Sequence, residues 1–196
     1  MNKLTRAVSD EEFERILLLL KTGYVSIDEE TGKMRRHMPN QKASFAWFLE
    51  GVLGLRISDV CRLTLADNFI KENNGWHLII KEKKTGKLKK IFCPIYDEIV
   101  TFCLNNNIGR KERIIKCTPR NIQEHLMNAA KFLNLDFIGT HSARKRFSSK
   151  IYDTSKDINL VSSILMHSSV AITQRYLRIS SEAQREALQF ASTIKF

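Results

Sequence analysis

Four short stretches of the chain carry side chains suited to chemistry on an anion. The first is Gly54-Leu55-Arg56-Ile57-Ser58-Asp59, followed by Leu63 and Leu65. The second is the lysine-rich turn Lys83-Lys84-Thr85-Gly86-Lys87, flanked by Lys81, Lys89 and Lys90. His141-Ser142-Ala143-Arg144 is the third, and Leu165-Met166-His167 with Thr173 and Tyr176 is the fourth. An arginine presents a planar fork of donors that matches two oxygens of a phosphate or carboxylate, which a lysine point charge does not. Histidine and lysine move protons, and a tyrosine phenol becomes a nucleophile once it loses a proton whose solution pKa is about 10. Each stretch also has an ordinary explanation. Arg56 near Asp59 could be half of an ion pair, the lysine-rich turn a solvated hairpin tip, and His167 and Tyr176 packed core residues. His141 and Arg144, three positions apart, share one face of a helix.

Helices and one hairpin must position these stretches. Ser9 and Glu12 form a capping-box signature, and Phe13, Ile16, Leu17 and Leu20 recur at helical spacing, predicting a helix from about 10 to 21. Residues 22 to 41 hold Gly23, Gly32 and Pro39 without clear periodicity and read as a loop or short hairpin. From about 43 to 53 the residues are apolar almost all round, as suits a helix buried on several sides, and Gly54 ends it. Ile57, Val60 and Cys61 resume helical spacing after Arg56. The period then changes: Trp76, Leu78 and Ile80 alternate, Thr85-Gly86 turns, and Ile91, Cys93 and Ile95 alternate again, predicting a sheet of two or three strands. Helices are expected near 97–105, after Thr118-Pro119, and at about 142–152, 158–166 and 170–177, with a last amphipathic segment bearing Ala183, Ala187, Leu188, Ala191 and Ile194. The fold class is α+β, mainly helical with a small antiparallel sheet at one side.

Composition narrows the partners. The chain has 196 residues, with 32 Lys plus Arg against 21 Asp plus Glu, a formal charge of +11. An excess of basic residues in a foldable chain points to a polyanion, nucleic acid first and an anionic membrane surface second. No apolar run approaches the roughly 18 residues of a spanning helix, and Asp10, Glu11 and Glu12 precede the first apolar stretch, the wrong charge order for a secretory signal. A cytoplasmic location, on the nucleoid when bound to DNA, is expected. Cys61, Cys93, Cys103 and Cys117 are scattered and read as reduced interior thiols. No carboxylate or cysteine sits at ligand spacing beside His141 or His167, so neither a metal nor another cofactor is expected.

In this order the stretches resemble the tyrosine recombinase (phage integrase) family, whose catalytic domain carries Arg, Lys, His-x-x-Arg, His or Trp, and Tyr. They fall here on Arg56, Lys84, His141, Arg144, His167 and Tyr176. Gly-Leu-Arg-Ile-Ser-Asp resembles the first arginine box and Leu-Met-His-Ser-Ser-x-x-x-Thr-x-x-Tyr the last, and the resemblance runs from about Leu4 to Ser181. Met166 stands where the family usually has glycine, and Lys145 where it often has histidine.

The resemblance implies a site-specific DNA recombinase that cuts and rejoins strands through a covalent 3′-phosphotyrosine without metal or ATP. Tyr176 would be the nucleophile, and Arg56 and Arg144 the phosphate clamp. Lys84 would protonate the leaving 5′ oxygen, with Lys83 and Lys87 as competing assignments. His141 would transfer protons, and His167 would donate to the phosphate. Asp59 is expected to orient Arg56 or the nearby helix, and Lys83, Lys87, Lys145, Arg146, Lys150, Arg175 and Arg178 to contact the duplex backbone. Partners would be double-stranded DNA and other protomers of the same chain, with residues 181–196 docking on a neighbouring protomer. The whole of 1–196 reads as one catalytic domain without the clamp domain most relatives carry, whether as a fragment or as a short recombinase. Two other readings share the residues: a type IB topoisomerase-like relaxing enzyme, and a catalytically silent or regulatory DNA-binding relative.

Overall fold

The computed structural model of the chain describes residues 5–28, 30–165, 167 and 169–177, with the side chains of 175–177 outside the description. Helix α1 spans Asp10–Thr22 and is closed by the expected capping box: Ser9 accepts from the Glu12 N–H, and the Glu12 carboxylate accepts from the Ser9 N–H. Its Phe13, Ile16 and Leu20 face the core. The stretch that reads as a loop or short hairpin is a hairpin of β1 (Tyr24–Ile27) and β2 (Met34–His37). It leans on the rest of the chain through Tyr24, whose ring lies 4.6 Å from that of Phe132.

Helix α2 (Gln41–Leu53) starts two residues before the apolar run, because Asn40 caps it by accepting from the Ala43 N–H. Its apolar faces on all sides are explained by its neighbours, α1 on one side and α6 (Pro119–Phe132) on the other. Ala43, Ala46, Trp47 and Leu49 have no exposure at all. Gly54 ends the helix in the left-handed region at φ 58°. Arg56 then caps the single turn α3 (Ile57–Val60), and α4 (Leu65–Asn68) follows.

The sheet has three antiparallel strands in the order β3 (Phe69–Glu72), β4 (Gly75–Lys81) and β5 (Leu88–Phe92). Leu78 and Ile80 point inward from β4. Helix α5 (Tyr96–Asn105) comes next, and α6 begins with Thr118 as cap and Pro119 in its first turn, as the sequence predicts. The remaining helices are α7 (His141–Ser155), α8 (Ile158–Leu165) and α9 (Val170–Leu177). Three of the four cysteines are buried and all four are free; burial pushes the Cys61 thiol up to about 12 and that of Cys93 up to about 11. No helix among the described residues is long and apolar enough to cross a membrane.

The chain divides into two compact units, one ending at Phe147 and the other beginning at Ser148. The first holds the sheet and the core built on α1, α2 and α6. In the second, α8 packs against α9, with Val161, Leu165 and Thr173 buried.

Gly54 connects the fold to the chemistry. A β-carbon there would lie 2.5 Å from the Phe147 ring, on a backbone that L residues rarely adopt. Gly54→Ala should therefore cost roughly 2 to 4 kcal/mol, the left-handed penalty plus overpacking, read as a lower midpoint in urea unfolding.

Candidate functional site

Arg56 follows directly on the left-handed turn at Gly54 and has extended backbone (φ −81°, ψ 144°), so its side chain leaves the end of α2 toward the β4–β5 turn. There Glu82, 2% exposed, meets it in an ion pair of 2.5 Å. The same Glu82 carboxylate accepts from the Thr85 hydroxyl at 2.7 Å, and the Glu82 backbone pairs with Lys87 and Gly86. Burial pushes the Glu82 carboxyl up, but Arg56 and Thr85 outweigh it and hold the group below the usual carboxylate range.

Of the two expectations for Asp59, orienting Arg56 or the nearby helix, its contacts fall on the second and on the turn. Its carboxylate, 1% exposed, accepts from the Lys83 backbone N–H at 2.9 Å and from Arg62 Nη2 at 2.8 Å. Arg62 also donates to the Lys81 carbonyl at 2.7 Å. Asp59 thus holds the lysine-bearing turn by its backbone, while the carboxylate on Arg56 is Glu82.

Helix α7 brings the second arginine to the same place. Arg144 has no exposure, and its Nη1 donates to the Gly54 carbonyl. His141, one turn earlier, is open to solvent on one side. Its imidazole is held below its ordinary value by desolvation first and then by Arg144, Arg56, Lys145 and Lys84. Arg56, Lys84, His141 and Arg144 are therefore one electrostatic neighbourhood. Lys83, Lys84 and Lys87 are exposed on the turn.

Two buried groups beneath the arginines do not appear among the sequence candidates. Glu50, with no exposure, is pushed well above the carboxylate range by burial, against the pull of Arg144 and the Ile57 N–H. Lys89, 2% exposed, has its Nζ 3.5 Å from the Gly54 carbonyl. Its signal was present in the alternation of β5: the inward set Ile91 and Cys93, extended back by two, lands on Lys89. Glu82 is legible too, as the single acid among six lysines between 81 and 90.

Two of the expected duplex contacts are corrected. Lys145 is 9% exposed and donates to the Thr5 carbonyl. Arg146 pairs with Asp10 at 2.7 Å and lies 4.3 Å over the Phe13 ring. Both cations tie α7 to the N-terminal segment and α1, because α7 packs its basic face inward. Lys150 is exposed.

In the second unit, His167 Nδ1 lies 2.9 Å from the hydroxyl of buried Thr173, and the His167 N–H donates to the Ser162 carbonyl at 3.1 Å. Thr173, which the sequence places in the last box, is thus a partner that orients the ring. Tyr176 stands on α9 one turn after Thr173. The side chains of Arg175 and Tyr176, together with Met166, Arg178 and the segment 181–196, lie outside the described residues. Among the described residues no group of three or more His, Cys, Asp or Glu could hold a metal ion.

Residues 38–183 match the model of the phage integrase family. The chain belongs to that family. Its sequence is 33% identical over 169 residues to the "Probable integrase/recombinase YoeC" of Bacillus subtilis (strain 168), covering 81% of this chain and 91% of that protein. Its fold matches the XerH site-specific recombinase in a post-cleavage complex with palindromic difH substrate at a TM-score of 0.66 and 18% identity, covering 97% of this chain and 54% of the other. It also matches the catalytic domain of bacteriophage HP1 integrase at a TM-score of 0.60 and 16% identity, covering 97% of this chain and 99% of that domain. The chain thus spans about half the length of the XerH chain and nearly all of the HP1 domain. Its fold is that of a tyrosine recombinase catalytic domain.

The Arg56–Glu82 pair generates a pH prediction. With its carboxyl held below the unfolded value, Glu82 contributes stability that is present above the unfolded pKa and lost as pH falls through the folded one. Glu82→Gln should cost about 2 to 3 kcal/mol at pH 7, somewhat less than a fully buried pair because Arg56 keeps some contact with water. Wild type should then lose stability as pH falls below about 5, a loss the variant lacks, in urea midpoints measured from pH 7 downward.

Proposed function

We propose that the chain is a site-specific DNA recombinase acting through a covalent 3′-phosphotyrosine. The observation that carries this reading is the convergence of Arg56 and Arg144 on the Gly54–Arg56 turn, with Lys84 and His141 in the same electrostatic neighbourhood. Two guanidinium forks are suited to hold the non-bridging oxygens of the scissile phosphate and to stabilise the added negative charge of the transition state; loss of one such donor costs on the order of 3 kcal/mol, about a hundredfold in rate.

Tyr176 Oη attacks the phosphorus and the bond to the 5′ oxygen breaks. The ammonium of Lys84, on a turn held by Asp59 and Glu82, gives its proton to that leaving oxygen. His141, held below its ordinary value by burial and then by the cations around it, accepts the phenol proton. His167, fixed through Nδ1 by Thr173, donates from its other nitrogen to the phosphate. The phosphotyrosine conserves the bond energy, so a 5′ hydroxyl restores the phosphodiester by the reverse steps. Lys83, Lys87, Lys150 and Arg175 neutralise backbone phosphates, contributing affinity rather than sequence choice. Double-stranded DNA, in the cytoplasm, and further protomers of this chain are the partners, with segment 181–196 docking on a neighbour through its apolar face.

Incubation with nicked DNA carrying the attachment site should trap a covalent adduct on denaturing gels for wild type and none for Tyr176→Phe. An adduct that persists in the variant would sink the nucleophile assignment, and no adduct in wild type would favour a silent DNA-binding relative. Relaxation of supercoiled DNA without site preference would point to the topoisomerase-like activity instead. For Lys84→Ala, a 5′ sulfur leaving group should restore cleavage, since it needs no proton; failure to restore assigns the acid role to another lysine.

A further inference from the structure

We propose that Lys89 is a positioning residue of this reaction: its buried amine and Arg144 share the Gly54 carbonyl, and Lys89 gains a proton when a phosphate anion fills the arginine pair. The inference rests on the recombinase reading for its reaction, and on the geometry alone for its link between anion and proton.

Strand β5 places Lys89 opposite Ile80, an inward position 4% exposed, between the exposed Leu88 and Lys90. A methionine or leucine would fill such a position at lower cost, because an ammonium loses its hydration there. What Lys89 finds instead is the Gly54 carbonyl at 3.5 Å, the oxygen that Arg144 Nη1 also takes. One acceptor serving two cationic donors couples them: when Lys89 is neutral the carbonyl is left to Arg144, and when it is charged it draws on the same lone pairs and repels the guanidinium.

The charged groups that face Lys89 come from three places: Arg144 on α7, Arg56 and Asp59 at α3, and Glu82 on the turn after β4. Both carboxylates are already engaged, Glu82 by Arg56 and Thr85 and Asp59 by Arg62 and the Lys83 N–H. Burial and then Arg144 accordingly push the Lys89 amine down to about 7, against the opposing pull of Glu82 and Asp59. An anion on Arg56 and Arg144 compensates the two cations that discourage the proton. By linkage, whatever makes Lys89 easier to protonate makes the protonated site bind the anion more tightly. Anion affinity should then fall with rising pH above about 7, by up to about tenfold per pH unit for one proton. His141, also held low, titrates on the acid side of this window.

Two measurements on the full chain test this. With lysines carbon-13 labelled at Cε, NMR should show one amine titrating near 7 in wild type, absent in Lys89→Met and Lys89→Arg. Sulfate, whose charge is constant from pH 6 to 9, should raise that value by half a unit or more, roughly threefold in proton affinity. In single-turnover cleavage of the nicked substrate, Lys89→Met should be about tenfold slower or worse at pH 7. Its profile between pH 7 and 8.5 should be flat, and Lys89→Arg, which keeps its charge, should also lack the wild-type step. Lys89→Met should melt no lower than wild type, which separates the effect from unfolding. The proposal is overturned if no lysine titrates below 9, if sulfate leaves the titration unmoved, or if Lys89→Met keeps both the wild-type rate and the pH step. A lysine that titrates and shifts in a chain forming no adduct sinks the recombinase reading and supports the anion link.

Discussion

A guanidinium removed from water has to be met by acceptors, and at Arg144 the one that organises the site is a main-chain carbonyl, that of Gly54. That oxygen is available because Gly54 takes the left-handed conformation that ends α2 and sends the chain into Arg56. The turn therefore does two jobs with one backbone geometry. It launches the first arginine and receives the second, although 88 residues separate Arg56 from Arg144. A polar tie of this kind is costly to leave half made, since the partner would remain buried without its acceptor. The packing of Phe147 against the face where a β-carbon would stand adds a steric reason for glycine to the conformational one.

Around that turn the acidic groups are divided between holding side chains and holding backbone. Glu82 meets Arg56, while Asp59 reaches the Lys83 N–H and, through Arg62, the Lys81 carbonyl. The lysine-bearing hairpin is thus anchored at its base on the β4 side, and its tip stays in solvent. That arrangement suits a proton donor that must meet a substrate from outside. Burial, and then the neighbouring cations, leave His141 and Lys89 easier to deprotonate than free side chains.

The net charge of +11 divides accordingly. Arg56 and Arg144 meet at the Gly54–Arg56 turn, Lys145 and Arg146 hold α7 to the N-terminal segment and α1, and Lys89 is buried in the interior. On the β4–β5 hairpin lysines 81, 83, 84, 87 and 90 are exposed, as is Lys150 on α7. A count of basic residues overstates the number that can face a duplex, because a lysine's aliphatic stem and an arginine's plane also serve as packing groups.

Read along the chain, periodicity and caps determined the elements: the Ser9–Glu12 capping box, the alternation in Trp76, Leu78 and Ile80, and Thr118-Pro119 each predict a boundary the structure has within a residue or two, because these signals act over a few residues. The order of Arg56, Lys84, His141, Arg144, His167 and Tyr176 was likewise legible, and it sufficed to indicate the family. Only the tertiary structure decided which charge meets which. Asp59 looks from the sequence like the partner of Arg56, three positions away; in the fold Glu82, twenty-six positions on, holds that place because the β4–β5 turn folds over α3. Lys145 and Arg146 read as duplex contacts until α7 is seen to turn them toward Thr5 and Asp10. Local rules specify a residue's backbone state and face, whereas the partner of a buried charge depends on which distant backbone arrives beside it.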